Sequence, residues 1–134
     1  MAEAGTRRAA DPVMEVLRIS IDELKHKMGR GERIIFVDAR SQNDYDDSTV
    51  RIPDSLRVLP EQVELMLDEI PRNGLIVPYC AEPRENGSAK VALALMEDGL
   101  RDVKPLLGGV NAWLEAGLPT QAKAETVIRR PSRN

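Results

Sequence analysis

Two uninterrupted apolar runs decide most of what this chain can become. They are Ile34, Ile35, Phe36 and Val37, and then Leu75, Ile76, Val77, Pro78 and Tyr79. Neither alternates apolar with polar residues, so neither suits a sheet with one wet face; each calls for a strand covered on both sides. Covering both faces takes helices, and helical patterns surround the runs. Ser20 sits where a helix cap belongs, with Glu23 three residues on, Ile21, Leu24 and Met28 on one face and Gly29 at the end. Arg18 and Ile19 before it read as a very short strand. Pro60 opens a pattern with Val63, Leu65, Met66, Leu67 and Ile70 that stops before Pro71, and Ser88 opens another with Val91, Ala92, Leu95 and Met96 before Gly99. Residues 103–106 predict a third short strand, followed by Gly108, Gly109 and a brief helix through Trp113 and Leu114. Strand and helix alternate, which predicts an α/β fold in three layers: a mostly parallel central sheet with helices on both faces. Pro78 removes one ladder hydrogen bond from its strand.

At 134 residues, with 42% hydrophobic and 31% charged residues, the chain is long enough for one domain with its own core. Residues 17–119 are the expected domain, 1–16 an extension, and 120–134 a basic, flexible tail. One cysteine, Cys80, and one histidine, His26, exclude an internal disulfide and argue against a metal cluster. His26, inside the first helix, reads as a surface or half-buried residue. No apolar run approaches membrane-spanning length, and the first dozen residues carry charges where an export signal needs apolar residues. A cytoplasmic protein without membrane partners is expected. The net charge of −3 divides into +3 on the tail and −6 on the rest. An acidic body with 3% aromatic residues argues against nucleic acid as a partner.

In such a sheet, the loops leaving the carboxyl ends of strands build the site. One of those loops begins at Asp38. The other begins at Cys80 and runs through Ala81, Glu82, Pro83, Arg84, Glu85, Asn86 and Gly87 to Ser88, read as a helix cap. Loop amides and the unpaired amides of a first helical turn can converge on one point, lowering a thiol pKa and holding an anionic sulfur. Cys80 is therefore a candidate nucleophile; the alternative is an inert cysteine buried at a strand end. No histidine adjoins it and there is no Cys-x-x-Cys pair, against protease-like and thioredoxin-like readings. A cysteine phosphatase or arsenate reductase needs an arginine about six positions after the cysteine to fork an oxyanion, but that position is Asn86 and the arginine is Arg84. Glu82 and Glu85 also oppose a dianion.

The chain resembles the rhodanese-like domain family of sulfurtransferases over about 100 residues. Phe36, Val37, Asp38, Ala39, Arg40 and Ser41 are similar to the family's strand ending in Asp-x-Arg. Asp44 and Tyr45, then Arg51, Ile52, Pro53, Asp54 and Ser55, are similar to its acidic-aromatic pair and Ile-Pro-Gly-Ala turn, with Asp54 in place of the glycine. Tyr79 and Cys80 resemble the start of the catalytic loop, and the residues from Ser88 to Leu95 the helix after it. Residues 103–113, with Leu106, Gly108, Gly109 and Trp113, and then Ala116, Gly117, Leu118 and Pro119 resemble the closing block. The resemblance implies a rhodanese-like three-layer sandwich and a Cys80 that accepts sulfane sulfur as a persulfide. The donor would be a small sulfur compound, thiosulfate among them, or a persulfide-bearing protein, and the acceptor a thiol or another nucleophile; no cofactor or metal is implied. Loop residues 81–88 would cradle the sulfur, and Asp38 and Arg40 would brace loops beside it. The loop has seven residues between Cys80 and Ser88, and Cys80, Pro83, Glu85 and Ser88 resemble a family subset with a Cys-x-x-Pro-x-Glu-x-x-Ser loop. A catalytically weak protein-binding or regulatory module of the same family is the second reading.

Overall fold

The two apolar runs form the centre of the fold. In a computed structural model that describes residues 16–81 and 86–123, they are β1 (Ile34–Asp38) and β4 (Leu75–Tyr79). The two pair in parallel from Ile34 opposite Leu75 to Asp38 opposite Tyr79. β3 (Leu56–Arg57) joins the other side of β1, also parallel. Beyond β4, parallel bridges join Ile76 to Val103 and Ile19 to Leu106.

Alternation along the strands sends side chains into two separate cores. Ile35, Val37 and Ile76 pack with Val91, Ala92 and Leu95 of α4 (Asn86–Glu97) on one face. Leu75, Val77 and Tyr79 meet Leu24 of α1 (Ile21–Gly29) and Val110 and Trp113 of α5 (Gly109–Glu115) on the other. Phe36 and Trp113 meet edge to face with centroids 5.2 Å apart, and the indole N–H donates to the Pro119 carbonyl at 2.7 Å. That leaves Trp113 with a large apolar surface buried and its polar atom satisfied. The result is the three-layer α/β sandwich with a mostly parallel sheet that the sequence predicts.

Pro78 is tolerated because of the side it faces. The Ile76 N–H donates to Asp102, away from β1, and Pro78 shares its parity. Its missing donor therefore falls against residues 103–106 and leaves the β1–β4 ladder whole. Those residues do not form the expected third strand. With Pro105 among them they make the isolated bridge at Val103, and Lys104 and Leu106 donate to the Ile76 and Pro78 carbonyls.

Ser20 caps α1 as expected, accepting from the Glu23 N–H at 3.1 Å, and His26 is exposed. Ser41 likewise caps α2 (Gln42–Asp47) through the Asp44 N–H, a short helix the sequence reading passed over. The expected helix from Pro60 is broken into a 3-10 turn (Pro60–Gln62), α3 (Val63–Met66) and another 3-10 turn (Leu67–Glu69). Its start has no side-chain cap, and Leu65, expected on the apolar face, is 79% exposed. A stretch with few buried anchors and no cap has little to hold it in one regular helix.

The described residues reach past 17 and 119 on both sides. Val16 is buried, and β5 (Gln121–Ala122) pairs antiparallel with β2 (Val50–Arg51). Residues 1–15 of the expected extension and 124–134 of the expected tail lie outside the described residues. Among the described residues no helix is long and apolar enough to cross a membrane.

Asp54, which stands where the resembled turn has glycine, adopts φ 61°. Its N–H donates to the Gln121 side chain at 2.9 Å, a bond glycine would keep. The left-handed region strains a residue with a Cβ, while glycine is free there but more flexible when unfolded. Asp54→Gly is therefore expected to raise unfolding stability by about 0.5–1 kcal/mol, read as a higher urea midpoint with an unchanged slope.

Candidate functional site

Cys80 follows directly on β4 and is fully buried. Its carbonyl accepts from the Val110 N–H at 2.8 Å, tying the strand end to the start of α5. That approach requires Gly109: a Cβ there would stand 2.1 Å from the Cys80 carbonyl oxygen, and its φ is +62°. On the other side Gly87 lies so close to β1 that a Cβ would meet the Ala39 carbonyl oxygen at 2.4 Å. Glycines at these two places let α4 and α5 close on the strand ends from both faces.

The structure corrects the reading of Ser88 as a cap. α4 begins at Asn86, so Ser88 is in its first turn, fully buried, with its hydroxyl oxygen 3.4 Å from the Cys80 sulfur. Of the other loop candidates, Gly87 is buried beside Ser88, Ala81 is half-buried and Asn86 exposed. Glu82, Pro83, Arg84 and Glu85 lie outside the described residues. Cys80, Gly87 and Ser88 are thus brought together at the carboxyl edge of the sheet, where β4 meets α4. First-turn amides of a helix lack partners within it, and such an edge is suited to holding a negative charge.

Asp38 and Arg40 are also together, but with each other. Their side chains are each 1% exposed and meet two-pronged, Nε to Oδ1 at 2.9 Å and Nη2 to Oδ2 at 2.6 Å. Arg40 also donates to the Val50 carbonyl at 3.1 Å, fastening β2 to the end of β1. Burial works against the Arg40 charge, but the Asp38 hydrogen bonds and charge outweigh it and raise its pKa above the usual value. The neighbouring Tyr79 phenol is pushed up, first by burial and then by the Asp38 carboxylate, so it stays neutral. Its oxygen accepts from the Ile52 N–H at 3.1 Å and shares a hydrogen bond with Ser55 at 3.0 Å.

Arg57 and Lys123 were not among the sequence candidates. Both gather at Tyr45 beside this pair. No local spacing links residues so far apart in the chain. A cavity of about 370 Å³ lined by Arg33, Phe36, Asp54 and Pro71 lies toward the amino ends of the strands, away from Cys80. No group of three or more His, Cys, Asp or Glu that could hold a metal ion occurs among the described residues.

A buried ion pair that loses one partner leaves an uncompensated charge. Arg40→Met is expected to destabilise the protein by about 3–5 kcal/mol in urea denaturation, with part of the loss recovered when Asp38→Asn is added.

The chain matches the family described as Rhodanese-like domain over residues 20–116. A curated protein of Allochromatium vinosum, named Sulfurtransferase, is 29% identical over 107 residues, which cover 80% of this chain and 96% of that protein. Among solved structures, a Bacillus halodurans protein superposes with a TM-score of 0.65 at 24% identity, covering 91% of this chain and 87% of that one. Thiosulfate sulfurtransferase from Pseudomonas aeruginosa superposes with a TM-score of 0.64 at 23% identity, over 81% of this chain but 20% of that longer one. The two structures speak for the fold. With the family match spanning most of the chain and the sandwich agreeing with it, this chain belongs to the rhodanese-like domain family.

Proposed function

We propose that the protein is a sulfurtransferase that carries sulfane sulfur as a persulfide on Cys80. The observation that carries this reading is the placement of the Cys80 sulfur at the carboxyl end of a central parallel strand, 3.4 Å from a hydroxyl in the first turn of the following helix. Family membership and the curated relative named Sulfurtransferase support it.

In the first half-reaction the Cys80 thiolate attacks the outer sulfur of a donor. The donor's sulfur–sulfur bond breaks, its remainder leaves with the electron pair (sulfite from thiosulfate, a thiolate from a persulfide), and Cys80 keeps one sulfur. In the second an acceptor thiolate attacks that outer sulfur and restores the Cys80 thiolate. With no second cysteine in the chain, the transfer ends on another molecule. Ser88 donates its hydroxyl to the thiolate, and loop residues 81–88 cradle the sulfur. The loop belongs to the extended subset read from Cys80, Pro83, Glu85 and Ser88. Glu82 and Glu85 disfavour dianionic thiosulfate relative to a persulfide donor. Asp38 and Arg40 brace the strand ends without touching the reacting atoms.

One observation favours the second reading, a weakly catalytic binding module: Cys80 is fully buried. Intact-mass measurement after challenge with thiosulfate, a small persulfide and a sulfur-loaded cysteine desulfurase separates the two. The sulfurtransferase gains about 32 Da, one sulfur atom, which an acceptor thiol removes and Cys80→Ser abolishes. Absence of the adduct with all three donors leaves the binding module.

The Ser88 hydroxyl has its own signature. A hydrogen bond to a charged group contributes about 1.5–3 kcal/mol, so Ser88→Ala is expected to raise the Cys80 pKa by about one unit or more. The pH dependence of iodoacetamide alkylation reads it directly.

A further inference from the structure

On the face of the sheet that carries Asp38 and Arg40, the Tyr45 ring gathers three cations. The Lys123 Nζ lies 3.9 Å from its centroid, the Arg57 guanidinium carbon 4.3 Å and the Arg40 guanidinium carbon 5.4 Å. A ring has two faces, so a third cation exceeds what stacking alone can use. The carboxylate among them is Asp38, and both its oxygens are engaged by Arg40; Arg57 approaches it only to 3.9 Å. Among the described residues, neither Arg57 nor Lys123 therefore has a carboxylate within hydrogen-bonding distance. Burial and then the Arg40 charge hold the Lys123 ammonium below its ordinary pKa, with Arg57 adding to the effect and Asp46 and Asp38 opposing it.

Hydrogen bonding leaves the same gap. Arg57 Nη1 donates to the Asp38 and Arg40 carbonyls at 3.1 and 2.6 Å, whereas its Nη2 is buried with no hydrogen-bond partner among the described residues. Lys123 donates to the Tyr45 carbonyl and has two further protons on its amine. Arg57 is 22% exposed and Lys123 half-buried, so the cluster opens to solvent. A group that accepts several hydrogen bonds and brings negative charge would satisfy both deficits.

We propose that Arg57, Lys123 and Tyr45 form a binding site for a small oxyanion, a carboxylate or a phosphate, held by the guanidinium and the ammonium beside the tyrosine ring. Arg57 is in register with Asp38, and Asp38 with Tyr79, the residue before Cys80. The site thus shares the carboxyl edge of the sheet with Cys80, two strands away (about 10 Å between main chains) and on the opposite face, and does not depend on Cys80 being reactive.

Amide NMR titration of the full chain with inorganic phosphate, and separately with acetate, tests the site against sodium chloride at matched ionic strength. Saturable shifts at Tyr45, Arg57 and Lys123 are expected with phosphate. Saturation with acetate as well marks a general oxyanion site, and saturation with phosphate alone a phosphate site. Lys123→Met should weaken phosphate binding at least tenfold, and Arg57→Lys, which keeps the charge but loses the fork, severalfold. Arg72→Gln, which removes an exposed cation elsewhere, should leave the affinity unchanged. Shifts that follow ionic strength alone, or equal phosphate affinity in wild type and both cluster variants, overturn the proposal.

Discussion

The parallel ladder between β1 and β4 is the constraint on which the rest of the structure depends. Both faces of β4 are buried along its whole length, so each must be covered by helices, and parallel strands can be joined only by crossovers that leave and re-enter at opposite ends. Every strand of the main sheet therefore ends on the same edge. Asp38 at the end of β1, Arg40 just after it, Arg57 in β3 and Cys80 after β4 come together there for that reason, although they are scattered through the chain.

What that edge does depends on which face each side chain takes. Asp38 and Tyr79 turn toward one core, and the alternation puts Cys80 toward the other, against Ser88 at the start of α4. The thiol and the Asp38–Arg40 pair are neighbours in the sheet but work on opposite sides of it. One side brings a sulfur to a helix start, where a negative charge is stabilised. The other side engages both oxygens of its buried carboxylate with Arg40 and gathers Arg57 and Lys123 at Tyr45. Glycines at 87 and 109 make the arrangement possible, since a Cβ at either position would drive into a backbone carbonyl at a strand end.

Much of this was legible in the residues. The two apolar runs marked the central strands because continuous β-branched residues have no other economical use in a chain of this size. Ser20 with Glu23 marked a helix start because that cap is satisfied within one turn. Cys80 and Ser88 were readable as neighbours because a strand, a loop and a helix in sequence bring the ends of the loop together. The misses have a common cause in tertiary contacts. The broken helix after Pro60 and the bridges at residues 103–106 follow from what each segment can bury, which local pattern overstates. The start of α4 at Asn86 puts Ser88 inside its first turn and not at the cap, with its hydroxyl oxygen 3.4 Å from the sulfur. The pairing of β5 with β2 joins segments of two residues each, too short to leave a periodic signal.

The sequence by itself determined the layered α/β plan, the central strands and the single thiol, because hydrophobic period, caps and the cysteine count are local properties. Tertiary structure alone decided that Arg40 would take both oxygens of Asp38 while Arg57 and Lys123 meet at Tyr45 with no carboxylate in hydrogen-bonding distance among the described residues. Charge balance at a site is a property of distances between distant parts of the chain, and those distances exist only once the strands have been placed side by side.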